Sequence, residues 1–330
     1  MLDGNSILIT GGTGSFGKKF IKTILNTRPE IKRIVVYSRD EFKQFNMQNM
    51  PEFKMYKDKL RFFIGDVRDK ERLYRAMEGI DFVVHAAALK QVPACEYNPF
   101  EAIKTNIMGA ANLIDVCIDK GVKKVVALST DKACAPVNLY GATKLCSDKL
   151  FIQSNNYSGP NGTKFSVVRY GNVAGSRGSV IPFFKELIQN GAKELPITDM
   201  NMTRFWLKLE QAVEMVLNAL DNMHGGELFV KKIPSMRMPD LAKAIAPNAK
   251  LVEIGIRPGE KLHEQMIAPA DSRNTIDVGE YFIILPQIER KDISHFYEGA
   301  KRVPDNFEYN SGTNDRWLTI EDMKKLISDL

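Results

Sequence analysis

The chain has 330 residues, enough to bury a substantial core as one large or two fused domains. Its 44% apolar and 26% charged residues are ordinary for a globular protein, and a scattered formal charge of +6 is too small to argue for nucleic acid. Such a charge suits an anionic small-molecule ligand. No apolar run approaches the roughly 20 residues of a membrane helix, and the N-terminus carries no secretory pattern. Cys95, Cys117, Cys134 and Cys146 lack CxxC spacing, which predicts reduced, mostly buried thiols rather than disulfides or a metal site. The expectation is a cytoplasmic protein.

Ile7-Leu8-Ile9-Thr10 reads as a first strand that runs into glycines and then a helix over Lys18 to Leu25. Gly11, Gly14 and Gly17 recur every third residue, with Thr13, Ser15 and Phe16 between them. A tight turn, close backbone approach to a pyrophosphate and free N–H groups at a helix start all call for that pattern. The strand before and the helix after make it more than a plain glycine turn. A second strand, Ile34 to Tyr37, ends in Ser38-Arg39-Asp40, with Lys43 nearby. An acidic residue there suits a free ribose 2′-hydroxyl and a cation suits a 2′-phosphate. Two cations around one carboxylate tilt the expectation to NADP; a solvated charged loop is the other reading.

Arg61 to Asp69 reads as a third strand. Asp66 at its end, followed by Val67, accepts from an adenine amino group or caps the next helix. Asp81 to Ala88 is a fourth; the small residues Ala86-Ala87-Ala88 let backbone lie close to a cofactor, and Lys90 follows at its carboxyl edge. His85, inside an apolar run, reads as a packed core histidine. Phe100 to Lys120 is a helical stretch in which Asn106 either braces the neighbouring strand or faces solvent.

Val125-Val126-Ala127-Leu128 is a fifth buried strand, and it delivers Ser129-Thr130-Asp131-Lys132-Ala133 into a cleft. Pro136 and Asn138 break the chain before a helix opens at Tyr140, on which Tyr140 and Lys144 share one face. Hydroxyl, carboxylate, amine and phenol groups so grouped imply proton-transfer chemistry. Strand–helix alternation from residue 7 to 128 predicts an α/β doubly wound parallel sheet, with ligands beyond the carboxyl ends of its strands.

Phe165 to Tyr170 is a further strand, left by a small-residue loop through Asn172, Val173, Arg177 and Val180. Prolines then divide shorter elements. The expected organisation is a dinucleotide-binding domain over 1–172 with a return segment at about 202–232, and a smaller mixed substrate domain over 173–201 and 233–330. Arg204 and Arg257-Pro258-Gly259-Glu260-Lys261 are basic loop clusters, of the kind a nucleotide diphosphate engages. Ile320 to Leu330 reads as a docking helix.

Gly11-x-x-Gly14-x-x-Gly17 with Tyr140-x-x-x-Lys144 resembles the extended short-chain dehydrogenase/reductase superfamily, with its Rossmann domain. Ser129 to Ala133, Tyr37 to Glu41, Ala86 to Lys90 and Arg257 to Glu264 further resemble the inverting UDP-N-acetylglucosamine 4,6-dehydratases of the pseudaminic-acid pathway, which serves flagellin glycosylation. Ordinary sugar-nucleotide 4,6-dehydratases carry Asp-Glu where this chain has Asp131-Lys132. Membrane-anchored relatives share the Asp-Lys pair but carry N-terminal membrane helices.

The resemblance implies a redox-neutral lyase acting on UDP-N-acetylglucosamine. Tyr140 and Lys144 serve C4 oxidation by NADP, Thr130 binds the C4 oxygen, Lys132 takes the C5 proton and Asp131 protonates the departing 6-hydroxyl. Inversion at C5 then gives UDP-2-acetamido-2,6-dideoxy-β-L-arabino-hex-4-ulose. A lysine base beside a carboxylate is in tension with itself, because the carboxylate favours the charged ammonium. The resemblance places Gly11, Thr13, Gly14, Ser15, Phe16, Gly17, Ser38, Arg39, Asp40, Lys43, Asp66, Val67, Ala86, Lys90, Leu128, Ser129, Tyr140 and Lys144 at the cofactor. It places Lys90, Asn172, Val173, Val180, Thr203, Arg204, Arg257 and Glu260 at the UDP-sugar, with no metal. It also implies a homo-oligomer, a hexamer being one form. The competing readings are a retaining dehydratase, a nucleotide-sugar 4-epimerase and a non-enzymatic dinucleotide sensor.

Overall fold

The computed structural model describes residues 2–159, 162–176, 178–287 and 293–328. Six parallel strands form where the apolar runs stand: β1 (Ser6–Thr10), β2 (Arg33–Ser38), β3 (Leu60–Ile64), β4 (Phe82–His85), β5 (Lys124–Leu128) and β6 (Lys164–Arg169). The return strand β7 (Leu228–Lys231) pairs parallel to β6. β1, β4 and most of β5 and β6 are buried along their length, so both faces of the sheet are covered and alternation disappears. Helices Ser15–Thr27 and Leu209–Asn222 pack together, and Gly109–Asp119 packs against Leu139–Gln153.

The sheet extends further than the sequence predicts. β8 (Thr275–Asp277), β9 (Tyr281–Ile284) and β10 (Lys301–Arg302) join it antiparallel, giving ten strands in the order β10-β8-β9-β7-β6-β5-β4-β1-β2-β3. Residues 275–302, expected in the substrate domain, therefore include strands of the main sheet. The reason is the edge that β7 would otherwise leave open. Phe282, Ile283 and Ile284 cover it and are themselves buried.

A second core gathers Ile181, Phe184, Leu195, Ile197, Trp206, Leu241, Met323 and Leu326. It is built by helices Val180–Gln189, Met238–Ile245 and Ile320–Ser328 and by short strand pairs, among them Glu194–Ile197 with Lys250–Glu253. The last helix docks on Met238–Ile245 as expected, although residues 329 and 330 of that reading lie outside the described residues. Arg177 lies outside them too. Among the described residues no helix is long and apolar enough to cross a membrane.

Candidate active site

Backbone pairing between β5 and β6 continues beyond the strands. Ser129 N donates to Val168 O at 2.7 Å and Asp131 N to Tyr170 O at 3.1 Å, which carries residues 129–132 past the sheet edge. A 3-10 turn over Asp131–Ala133 follows, capped by Thr130 Oγ1, which accepts from Lys132 N. Ala135 then takes φ +43°, unusual for a residue with a Cβ and before a proline. The chain reverses there into helix Leu139–Gln153. Asn138 caps this helix, accepting from Gly141 N at 2.8 Å, while its amide donates to Gly259 O at 2.7 Å and ties down the Arg257–Glu260 loop.

Charge is concentrated on Lys132. Its Nζ lies 3.1 Å from Asp131 Oδ1 and 3.3 Å from Glu264 Oε1, and Arg204 Nε lies 3.7 Å from the same Glu264 oxygen. Burial works against the ammonium, but Asp131 and then Glu264 outweigh it and hold Lys132 above its ordinary range. Burial, reinforced by Glu264 against the pull of Lys132, raises the Asp131 carboxyl. Glu264 goes the other way: burial opposes its charge, yet Lys132, Arg204 and Lys261 keep it ionised. Asp131 Oδ2 and Glu264 Oε2 are buried without a hydrogen-bond partner.

Tyr140 shares this corner, its hydroxyl within hydrogen-bonding reach of Thr130. Burial pushes its phenol up to about 12, and the first charge that works against this is Lys132 rather than Lys144. Lys144 is 4% exposed and lowered by burial, with Asp148 one helical turn on partly restoring its charge. Asp148 Oδ2 accepts from Ser129 Oγ at 2.7 Å and from Arg169 Nη2 at 3.2 Å, so the helix is bonded to the ends of β5 and β6.

Asn106 is the brace rather than a solvated helix residue. Its Oδ1 accepts from Leu89 N at 2.8 Å, and its Nδ2 donates to Leu89 O at 2.9 Å and Thr143 Oγ1 at 3.0 Å. The predicted helix over 100–120 is broken here into a π-helical turn, Lys104–Met108, which turns Asn106 inward.

Thr130, Lys132, Tyr140, Lys144 and Glu264 face a cavity of about 1260 Å³, larger than a pocket for one small ligand. The whole expected cofactor set, from Gly11 to Lys144, lies on its wall, as do Thr130, Lys132, Asn172, Val173, Val180, Arg204, Arg257, Glu260 and Glu264. Two expected residues do not. Asp131 sits behind Thr130 and Lys132 at 1% exposure. Thr203 points away, its hydroxyl bonded to His263 Nδ1 at 2.8 Å and Ser311 Oγ at 2.7 Å. Glu264, Asp148 and Arg169 were not among the expected site residues. The four-residue step from Lys144 to Asp148 and the end of the Arg257–Glu264 run are signals for the first two; Arg169, within β6, has none.

The glycine end of the cavity is shaped for backbone approach. Gly11 has φ +66°, and a Cβ there would lie 3.0 Å from Ala86 O; one on Gly17 would lie 2.4 Å from Gly12 O. Helix Ser15–Thr27 starts at Gly14 with no side-chain cap, leaving its first N–H groups for an anion. Further along, Asp40 caps helix Glu41–Asn49, accepting from Lys43 N at 2.9 Å, and its other oxygen pairs with Lys43 Nζ at 2.7 Å. Its carboxylate is thereby committed, while Arg39 and Lys43 are half-exposed on the wall. Asp66 accepts from Arg68 Nε at 2.9 Å and from Arg68 N at 3.0 Å. Those bonds, against burial, hold it below the usual carboxylate range.

Fold and site together define the extended short-chain dehydrogenase/reductase class. Within it, residues 7–286 match the model of the polysaccharide biosynthesis protein family, and the chain belongs to that family. It is 55% identical over 335 residues to the inverting UDP-N-acetylglucosamine 4,6-dehydratase of Campylobacter jejuni subsp. jejuni (strain 81-176), covering 99% of this chain and 98% of the relative. It is 43% identical over 337 residues to a UDP-glucose 4-epimerase of Rickettsia canadensis, covering 98% and 96%. The crystal structure of Pen from Bacillus thuringiensis superposes with a TM-score of 0.89 at 37% identity, covering 100% of this chain and 99% of the other.

Proposed function

We propose that the chain is a UDP-N-acetylglucosamine 4,6-dehydratase that inverts C5 and uses NADP. The observation that carries this reading is the Asp131–Lys132 pair, 3.1 Å apart, beside Tyr140. Tyrosine and lysine serve oxidation at C4 in an epimerase as well; an added acid and base have work only if water leaves.

The residues fit a dinucleotide. The uncapped helix start after Gly14 takes the pyrophosphate, Asp66 and Val67 flank the adenine, and Lys144 holds the nicotinamide ribose. Arg39 and Lys43 favour a 2′-phosphate, because Asp40 is spent on its helix cap. When bound, the nicotinamide supplies a reversible acceptor for one hydride.

On the substrate side, Arg204 and Arg257 engage the diphosphate, while Lys90, Asn172, Val173, Val180 and Glu260 enclose the sugar and uridine. Thr130 steadies the C4 oxygen while Tyr140 takes the 4-hydroxyl proton. The resulting ketone acidifies the C5 proton, which Lys132 accepts. Asp131, raised by burial but behind the cavity wall, is suited to supply the proton through the Thr130 hydroxyl bonded to it, so that the 6-hydroxyl leaves as water. Lys132 becomes a base only once its own proton has gone. Protonation of Asp131 favours that, since it neutralises one of the two carboxylates holding the ammonium. With the hydride that a bound nicotinamide would hold returned to C6 and a proton added to the opposite face of C5, the product would be the inverted 4-keto-6-deoxy sugar. On the same reading the product serves pseudaminic-acid synthesis for flagellin glycosylation, made in the cytoplasm by a homo-oligomer.

The test is an NMR spectrum of the product formed from UDP-N-acetylglucosamine in deuterated water. A 4-keto-6-deoxy sugar with deuterium at C5 and L-arabino configuration supports the proposal. A retained C5 points to a retaining dehydratase, and a product of unchanged mass to an epimerase.

A further inference from the structure

Two buried carboxylates share the Lys132 ammonium, and they are not equivalent. Glu264 carries a guanidinium, Arg204 Nε at 3.7 Å, as a second counter-cation; Asp131 has instead the neutral Thr130 hydroxyl, which donates to its Oδ1 at 2.9 Å. Each carboxylate keeps one buried oxygen without a partner, Asp131 Oδ2 and Glu264 Oε2. A buried orphan oxygen is relieved by a proton or by a donor on a ligand. When one proton is available to the pair, Coulomb attraction keeps it off the carboxylate that has two cations and leaves it to the one that has one.

Glu264 is also held more firmly than a surface glutamate. Its side chain is 3% exposed. Its N–H donates to Ser311 Oγ at 2.9 Å, and Ser311 N donates back to its carbonyl at 2.8 Å. Thr203 bonds both Ser311 and the neighbouring His263, which gives the inward-turned Thr203 hydroxyl a purpose as part of this clamp.

We infer that Glu264 is a positioning residue of the dehydration step, a fixed anion that anchors Lys132 and leaves Asp131 as the carboxyl that carries the transferable proton. This rests on the dehydratase reading and deepens it, because C4 oxidation by Tyr140 has no need of a second carboxylate. The groups facing Glu264 are Lys132, Arg204 and Lys261, all cationic, with Asp131 across the ammonium. Loss of the Glu264 charge removes an anion that raises Asp131, so Asp131 gives up its proton at lower pH.

The test uses the full-length chain with UDP-N-acetylglucosamine, comparing wild type, Glu264→Gln and Glu264→Asp. Stopped-flow absorbance of reduced cofactor reads C4 oxidation, and the ketone product reads elimination, across pH. For Glu264→Gln the expectation is oxidation within about twofold of wild type and elimination slower on the order of 100-fold. The alkaline limb of its elimination profile moves to lower pH, whereas Glu264→Asp keeps the limb in place. Wild-type elimination with an unmoved limb in Glu264→Gln overturns the inference, as does an equal loss of both steps. Should Glu264→Gln not fold, Glu264→Asp decides alone: elimination must slow more than oxidation. A wild-type chain that reduces cofactor yet releases no water overturns the dehydratase reading and this inference together.

Discussion

A Cβ on Gly141 would lie 2.1 Å from the carbonyl oxygen of Lys132. The first turn of the Tyr140 helix is therefore pressed directly onto the turn that carries Lys132, which is how phenol and ammonium come to face one volume. In an open helix, glycine to alanine stabilises by about 0.5–1 kcal/mol. Here Gly141→Ala is expected to destabilise by about 1–3 kcal/mol, as overpacking does, and to lower turnover more than tenfold by displacing Lys132. Urea unfolding with steady-state turnover checks both, and a stabilised, fully active variant removes the argument.

The Asn106 brace yields a second expectation. Asn106→Ala leaves Leu89 N without its partner and Leu89 O with only the Cys95 thiol, 3.7 Å away. The cost of such buried orphans is about 1–3 kcal/mol. Because Leu89 adjoins Lys90 on the cavity wall, the apparent KM for the sugar nucleotide should rise as well. Unfolding midpoints and KM for Asn106→Ala test this; an unchanged midpoint shows that water replaces the amide at no cost.

How far the sequence showed this architecture depends on how local each cause is. Strands β1 to β6 are apolar runs bounded by glycine or charge, and the Tyr140–Lys144 spacing is one helical turn, so both could be read directly. The strands at Thr275–Asp277 and Tyr281–Ile284 could not, because what makes them part of the main sheet is an edge formed by Leu228–Lys231. Nor could the π-helical turn, since the bonds that hold Asn106 inward are made with Leu89 and Thr143. Glu264 stood in plain view at the end of a recognised run, but only tertiary contact sets its oxygen 3.3 Å from Lys132. Thr203 failed in the opposite sense: its neighbour Arg204 reaches the cavity wall, and strand alternation turns Thr203 inward.

On the proposed reading, cofactor choice turns on the commitment of Asp40 to its helix. The double variant Arg39→Ala, Lys43→Ala should raise the KM for NADP by about 10- to 100-fold, the size expected when two charge-assisted phosphate contacts are lost. The KM for NAD should barely move. Equal changes for both cofactors show that these cations do not meet a 2′-phosphate.

His85 makes the fold acid-sensitive. Thr10 Oγ1 accepts from Ala86 N and Ala87 N, so its own proton goes to His85 Nδ1, 2.9 Å away, and the ring must be neutral there. Burial first, then the Lys144 charge, lowers the imidazole from 6.5 to about 3. A depressed folded-state value means that unfolded chains bind the proton first. The contribution is thus fully present above pH 6.5 and is lost as pH falls toward 3, by up to on the order of 5 kcal/mol. His85→Gln keeps an acceptor for Thr10 and should flatten stability between pH 6.5 and 4, by about one proton in the slope. Denaturant titrations across that range decide it, and an undiminished slope assigns the acid sensitivity elsewhere.

On the proposed mechanism, Lys132 bears the weight of the elimination. In Lys132→Ala, Tyr140, Thr130 and Lys144 keep their places on the wall, so oxidation at C4 should persist, slowed by loss of the charge that favours the Tyr140 phenolate, and reduced cofactor should accumulate. The C5 proton then has no acceptor, and solvent deuterium should not enter C5. The two carboxylates lose the ammonium between them, which makes Asp131 still harder to ionise. The acid is therefore intact in this variant and only the base is missing, so the defect reports on proton removal. Single-turnover NMR in deuterated water reads both events in one sample. Normal C5 exchange in Lys132→Ala would show that another group takes the proton, while loss of C4 oxidation as well would show that Lys132 holds the sugar rather than deprotonating it.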